Sequence, residues 1–205
     1  NAGVTVVIVA IARKSPSPKK LFSLSSSGQI FSAQVENINA YLVGGVNVIV
    51  QPTDNILSGI SKMDNGNKPV DGGHLLLETD ELQSFGLSAS EEAQFVRRYV
   101  GSQEAINGKM RYCLWIPDSE LEVAAAIPSI KNRIERVRHE RLQSPKKSTR
   151  DAAGRSHAFQ EIRQSGHEIL IVVPRVSSEN RYYLPCALME PGAVMSDNVF
   201  ALYDA

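Results

Sequence analysis

The chain has 205 residues, of which 42% are hydrophobic and 21% charged, with 22 basic and 22 acidic side chains. This composition is typical of a soluble domain with a packed core, and no apolar stretch reaches the ~18 residues that span a membrane. The N-terminal sequence NAGVTVVIVAIARK has no basic region ahead of its apolar run, which argues against a signal peptide. It predicts instead a buried strand from Val4 to Ala12 at the start of an excised fragment.

The zero net charge hides an uneven distribution along the chain. Residues 131–181 carry 12 basic and 6 acidic side chains, whereas residues 21–130 carry 6 basic and 13 acidic ones. A basic block of this kind can bind a polyanion locally. It can equally be a solvated helix face with i,i+4 ion pairs such as Arg136 with Glu140. Charge alone leaves both readings open.

The hydrophobic periodicity changes several times along the chain, and each change marks a predicted element. Ser90, followed by two glutamates, predicts the N-cap of a helix. A stripe of Ile127, Ile130, Ile134 and Val137 predicts the longest helix, with basic residues on its other faces. Helices are predicted at 79–85, 88–99, 128–143 and 156–163, a basic linker at 145–150, and strands at 41–50, 111–116, 169–173, 182–188 and 199–203.

These elements predict an α+β fold in which a mixed sheet of short strands is flanked by helices. The character of the sequence changes near residue 40. We therefore predict a boundary there, with residues 1–40 forming one part and residues 41–205 forming the main domain.

The motifs of common enzyme sites are missing from this sequence. It has no GxGxxG, phosphate loop, HExxH or GxSxG, and its four histidines lie far apart. Cys113 and Cys186 occur in apolar contexts without metal-ligand spacing, which predicts two buried, reduced thiols. The sequence therefore predicts no catalytic residue and no metal site.

The segment Arg175-Val-Ser-Ser-Glu-Asn-Arg181 follows a predicted strand and is rich in side chains that read DNA. Arginine can bind guanine, asparagine can bind adenine, and glutamate can accept a hydrogen bond from cytosine. In a strand Glu179 and Arg181 would point to the same face. The alternative, a surface ion pair at a strand end, is equally compatible with the residues alone.

Seven stretches resemble the target-recognition part of the MmeI-like, type IIL restriction-modification enzymes, and they follow the family's order. They are NINAYLV (37–43), KPVDGGHLLL (68–77), FVRRYVGSQEAINGKMRYCLWI (95–116), IKNRIERVRHERLQSPKKSTRDAA (130–153), HAFQEIRQ (157–164), VVPRVSSENRYYLP (172–185) and SDNVF (196–200). Residues 1–36 are similar to the closing strand of the family's α/β methyltransferase domain and the linker after it.

The resemblance implies a DNA target-recognition domain at 41–205 and a C-terminal methyltransferase remnant with its linker at 1–40. Such a domain recognises double-stranded DNA sequence-specifically and positions a fused adenine-N6 methyltransferase and endonuclease. The family's Asn-Pro-Pro-Tyr-type motif, Gly-rich cofactor motif and nuclease residues are missing, so we expect this fragment to be inactive and to hold no cofactor. The parent enzyme would use S-adenosyl-methionine and Mg²⁺ in the bacterial cytoplasm, away from membranes.

The resemblance also implies which residues contact DNA. Glu179 and Arg181 are the candidates for reading one base pair, and Tyr183 with residues near Lys146–Arg150 for a neighbouring pair. The full candidate set for base readout is Glu179, Asn180, Arg181 and Tyr183. The candidates for the DNA backbone are Arg141, Lys146, Lys147, Ser148, Thr149, Arg150, Arg163, Arg175, Ser177 and Ser178.

Other functions remain open at the level of sequence. A protein-interaction module would use the acidic half of the chain to dock another domain. A non-specific DNA-binding domain would use the basic block without reading bases. A stand-alone enzyme would need an acid–base pair that the sequence does not display.

Overall fold

A computed structural model describes residues 7–25, 27–49, 51–52, 59, 61–178 and 181–203. The chain divides into two units, residues 1–55 and 56–205. The expected boundary at residue 40 remains a prediction, because the division into compact units does not by itself locate the domain that the sequence resembles.

The first unit contains an antiparallel hairpin. Strand β1 (Lys19–Leu24) pairs with β2 (Ile30–Val35), and Lys19 lies opposite Val35. Gly28 has a φ of 81° in the connecting turn, where a residue without Cβ is favoured. Large apolar side chains of both strands are exposed, among them Phe22, Leu24, Ile30 and Phe31.

Two strand predictions in this unit are wrong for the residues that the structure describes. Residues 7–12 form no strand and are exposed, while residues 4–6 of the predicted strand lie outside the described residues. Residues 41–45 form turns and bends with an isolated bridge between Ile38 and Gly44, and residues 46–49 have no regular secondary structure. Side-chain hydrogen bonds explain this, because Asn39 accepts from the backbone N–H of Tyr41 at 2.9 Å and so favours a turn.

The second unit contains two four-stranded sheets. The first has the order β3-β10-β7-β8, all antiparallel, and the second has the order β4-β6-β5-β9, in which β5 and β9 are parallel. The strands are β3 (Met63–Asn65), β4 (Leu76–Glu78), β5 (Val96–Val100), β6 (Arg111–Leu114), β7 (Leu170–Pro174), β8 (Ala187–Met189), β9 (Val194–Met195) and β10 (Val199–Tyr203).

Six α-helices accompany these sheets in the described part of the chain. They are α1 (Thr79–Ser84), α2 (Ala89–Phe95), α3 (Ser102–Asn107), α4 (Leu121–Ala125), α5 (Pro128–Leu142) and α6 (Lys147–Asp151), with 3₁₀ turns at Asp118–Glu120 and Ala152–Arg155. The predicted α+β class is therefore confirmed. The predicted helix at 156–163 is not formed, and the helix predicted at 88–99 ends at Phe95, where β5 begins.

The N-cap of α2 also differs from the prediction. Ser88, not Ser90, caps the helix: its Oγ accepts from the Glu91 backbone N–H, and the Glu91 carboxylate accepts from the Ser88 N–H at 2.7 Å. This reciprocal capping box satisfies backbone donors at both positions. The helix therefore begins earlier than expected, at Ala89.

The second unit contains two clusters of buried apolar side chains. The predicted stripe of α5 is confirmed: Ile130 and Val137 are fully buried against the β4-β6-β5 sheet, with Ile127 and Ile134 partly buried beside them. The second cluster includes Leu170, Val172 and Val199 of the other sheet, and Met195 of β9 joins it from the first. Strands β9 and β10 belong to different sheets, so residues 196–198 carry the chain from one sheet to the other.

Candidate nucleic-acid interface

The segment from Arg175 to Cys186 forms a loop between β7 and β8, and we call it the readout loop. Its described residues are 175–178 and 181–186, and all of them except Pro185 are exposed. Tyr182 is 99% exposed and Tyr183 is 87% exposed. The rings and the Arg181 side chain therefore project from the sheet toward solvent, where they could contact a partner.

The base of this loop is fixed to the sheet. The backbone N–H of Arg175 donates to the Asn198 carbonyl at 3.2 Å, and its Nη1 donates to the Asp197 carbonyl at 3.0 Å. The guanidinium lies over the Phe200 ring, 5.1 Å from its centroid. A rigid strand thus ends in an exposed loop, which is an arrangement that suits recognition because the scaffold positions the tips.

All four residues predicted to read bases belong to this segment of the sequence. Arg181 and Tyr183 are exposed, as are Ser177 and Ser178. Glu179 and Asn180 lie outside the described residues. The N–H of Arg181 donates to the Ser178 carbonyl at 3.1 Å.

Tyr182 is an exposed residue that the sequence interpretation missed. The prediction of a strand from Tyr182 to Leu188 placed it in a sheet, whereas β8 begins only at Ala187. A run of two tyrosines directly after an arginine is the signal that could have identified it, since exposed aromatic rings beside cations suit stacking on bases.

A second exposed basic segment follows α5. Lys146, Lys147, Ser148 and Arg150 are exposed at α6 and the turn before it. Lys147 forms an exposed ion pair with Asp151 at 2.7 Å, and Arg150 Nη1 donates to the Ser144 and Pro145 carbonyls at 2.8 Å each. The predicted basic linker is thus a short helix that presents cations at fixed positions.

Two residues predicted to contact the DNA backbone are in the interior instead. Arg141 is 1% exposed, and its guanidinium donates five hydrogen bonds to backbone carbonyls. Thr149 is 5% exposed on the inner side of α6. Burial of both side chains argues against a phosphate contact by either residue, and the two contacts stay predictions.

Arg163 is about half exposed and already has carboxylate partners. It lies 3.3 Å from Glu161 and 3.7 Å from Asp64. Contact with a phosphate would require it to exchange these pairs, which are weak at an exposed site. It remains a candidate for the DNA backbone.

The two cysteines differ in their exposure to solvent. Cys113 is buried, and burial raises the pKa of its thiol. Cys186 is exposed in the readout loop, so the prediction of a buried thiol is confirmed for Cys113 and wrong for Cys186.

His157 is buried and lies 2.7 Å from Asp118. This hydrogen bond, followed by the one from Arg155, lowers the pKa of the Asp118 carboxyl.

Among the residues that the structure describes, no group of three or more His, Cys, Asp and Glu side chains could hold a metal ion. The helices of the described ranges are all too short or too polar to cross a membrane.

The comparisons with known proteins place the chain in a family. A profile described as "MmeI, target recognition domain" matches residues 44–205. Because this match covers most of the chain, the chain belongs to the family of MmeI target recognition domains.

Two individual relatives agree with this assignment. The chain is 33% identical over all 205 residues to DNA methyltransferase A of Bacillus subtilis (strain 168), covering 23% of that protein. It is also similar to a solved structure of the type IIL restriction-modification enzyme MmeI in complex with DNA, with a TM-score of 0.81 and 30% identity, over 94% of this chain and 26% of that one. The chain thus spans about a quarter of the length of these relatives.

Proposed function

We propose that this chain is the part of a restriction-modification enzyme that recognises a short double-stranded DNA sequence. In this proposal it positions a fused adenine-N6 methyltransferase and endonuclease on their target site. The membership of the MmeI target recognition family supports this function. So does the similarity to the solved type IIL enzyme MmeI, which was determined in complex with DNA.

The readout loop is the observation that carries the proposal. It places Arg181, Tyr182 and Tyr183 in solvent at the end of a strand that is hydrogen-bonded on both sides. Arginine can donate two hydrogen bonds to guanine in the major groove, and exposed rings can contact bases or the thymine methyl group. The loop can therefore supply specificity, while the exposed cations of α6 supply phosphate contacts.

A selection from a random-sequence duplex pool, repeated over a salt series, tests this function. We expect a short motif to be enriched and log Kd to depend steeply on log salt concentration, because cations displace condensed counterions from DNA. Arg181→Ala should relax the enriched motif at one base pair, whereas Arg138→Ala, on the exposed face of α5, should leave the motif unchanged. Salt-dependent binding without any enriched motif would contradict sequence recognition by this chain and favour non-specific binding.

We propose S-adenosyl-methionine and Mg²⁺ as cofactors of the longer enzyme rather than of this chain. The described residues contain no group of three or more His, Cys, Asp and Glu side chains that could hold a metal ion, and none of the proposed steps depends on a metal here. A binding titration of S-adenosyl-methionine against this chain should give no saturable signal. Tight binding would instead favour a stand-alone methyltransferase.

We further propose that residues 7–49 pack against the remaining domains of the longer polypeptide. Thirteen large hydrophobic residues are exposed in this segment, and some of them belong to each strand of the hairpin. A two-stranded hairpin alone is marginally stable in water, so a partner surface would stabilise it. Amide hydrogen exchange at 19–35 should be slower in a longer enzyme than in this chain, and equal exchange would contradict the packing.

A further inference from the structure

A wide cleft lies beside the base of the readout loop and contains two basic residues, Lys109 and Arg111, that are not among the predicted DNA contacts. The cleft has a volume of about 1000 Å³ and is lined by α3, the turn after it, the end of β4, Asn198 and the first two residues of the readout loop. Three basic residues, Lys109, Arg111 and Arg175, line it together with two acidic residues, Glu78 and Glu104.

The two arginines are held in place by the protein. Arg111 lies over the Tyr99 ring at 4.9 Å, and its Nε is 3.2 Å from the Glu104 carboxylate. Arg175 is held over Phe200 and by the Asp197 carbonyl. Guanidinium groups that are fixed before binding lose less conformational entropy when they meet an anion.

Lys109 differs from these arginines because it is exposed and unpaired in the described part of the chain. It lies in the segment 108–110 that joins α3 to β6 and forms no ion pair with a described carboxylate. Glu104 is paired with Arg111, so these two charges cancel. The remaining charged residues of the lining are two cations, Lys109 and Arg175, and one carboxylate, Glu78. The cleft therefore has an excess of positive charge directly beside the loop.

We propose that this cleft is a further DNA-backbone site, in which Lys109 contacts a phosphate of the strand that passes the readout loop. Arg175 belongs both to the cleft lining and to the base of the loop, so the two contact surfaces are continuous. This inference rests on the proposed function, since it extends the contact surface of the same loop. A phosphate contact contributes affinity and salt dependence, and carries no sequence information.

The test uses the complete 205-residue chain and the duplex that the selection enriches. Lys109→Ala should weaken binding roughly threefold to tenfold at moderate salt, and should reduce the slope of log Kd against log salt by about 0.9. The enriched motif should stay unchanged. Lys109→Arg should retain the affinity, and Glu78→Gln should tighten binding because it removes the opposing charge.

Lys62→Ala provides the matched control, because Lys62 is an exposed lysine of the same unit that does not line the cleft. It should leave both the affinity and the salt slope unchanged. A scan with neutral methylphosphonate linkages then locates the contact: one position should weaken the wild type and have no further effect on Lys109→Ala.

The outcomes separate this inference from the proposed function. If the wild type selects a motif that Arg181→Ala relaxes, while Lys109→Ala has the wild-type affinity and slope, the cleft is not a phosphate site and the proposed function stands. A wild-type chain that binds no duplex at low salt overturns both.

Discussion

Arg141 donates through Nη2 to the carbonyl oxygen of Ala158 at 2.8 Å, in the interior of the second unit. Four further hydrogen bonds join the same guanidinium to the carbonyls of Pro69, Val70, Ala152 and Arg155. One side chain of α5 therefore ties together the segments before β4 and after α6. Its charge is dispersed over five carbonyl dipoles, which offset the loss of water around a buried cation.

Replacing Arg141 should consequently lower the free energy of unfolding, with little direct effect on the affinity for DNA. Arg141→Lys retains the charge but has three donors in place of a planar fork, so we expect a loss of about 2–4 kcal/mol in the free energy of unfolding. Urea denaturation measures this loss. Arg138→Ala, on the exposed face of the same helix, should change it by about 0.5 kcal/mol or less. A stable Arg141→Lys chain with a reduced salt slope would show that Arg141 does reach a phosphate.

The two cysteines should react very differently with a thiol reagent. Cys113 is fully buried, and burial raises the pKa of its thiol, so little reactive thiolate reaches solvent in the folded state. Cys186 is exposed in the readout loop. We expect one rapidly reacting thiol in the native chain and two in denaturant, and none in native Cys186→Ser. Fast labelling of Cys113 at low denaturant would indicate that the β4-β6-β5 sheet opens locally.

The parts of the fold that were predicted from sequence are those in which burial leaves a regular pattern. The α5 stripe and the apolar run of β7 face the interior, and both were predicted within two residues of their observed bounds. The β1-β2 hairpin was missed because neither face is buried in its own unit, so its strands lack the alternation that burial imposes. The Asn39 side chain, which accepts a hydrogen bond from the Tyr41 N–H, likewise favours a turn where the apolar residues favoured a strand.

The candidate site shows the same dependence on pattern. Arg141 follows Val137 by four residues, and so it continues the spacing of the buried stripe; this signal could have placed it in the core despite its charge. Lys109 lies in a segment of net negative charge, which does not predict a phosphate contact. Only the fold brings Lys109 and Arg175 into the lining of one cleft, because sequence patterns do not report which distant residues lie close together.

Glu168 gives a prediction about pH, because its carboxylate organises the turn that leads into β7. Burial acts to raise its pKa, but hydrogen bonds from the backbone N–H groups of Ser165, Glu168 and Gly166 and from the Ser165 side chain outweigh burial and lower the pKa to about 2. A lowered folded-state pKa stabilises the fold above the ordinary value of ~4.3, and this stabilisation disappears as pH falls toward 2.

Glu168→Gln should therefore reduce the free energy of unfolding at pH 7 by about 1 kcal/mol, a value discounted for the partial exposure of the group. The difference between variant and wild type should shrink between about pH 4.5 and pH 2, as the wild-type carboxylate becomes protonated. Denaturation curves at pH 7, 4 and 2.5 measure this convergence. A difference that is constant over this range would show that the carboxylate charge does not stabilise the turn.

The ion pair between Lys147 and Asp151 leads to a prediction about affinity. The two groups lie 2.7 Å apart and are both exposed, so the pair contributes little to stability but does compete with phosphate for Lys147. Asp151→Asn should tighten duplex binding about twofold to fivefold at low salt, because it removes a negative charge and releases the lysine. Lys146→Ala together with Lys147→Ala should weaken binding and reduce the salt slope by about 1.8, which corresponds to two phosphates. Neither change should alter the enriched motif, since these contacts are made to the backbone. Titrations of the same duplex at four salt concentrations measure both effects.

A changed motif with Lys147→Ala alone would contradict a backbone contact. It would instead assign Lys147 to base readout beside Tyr183.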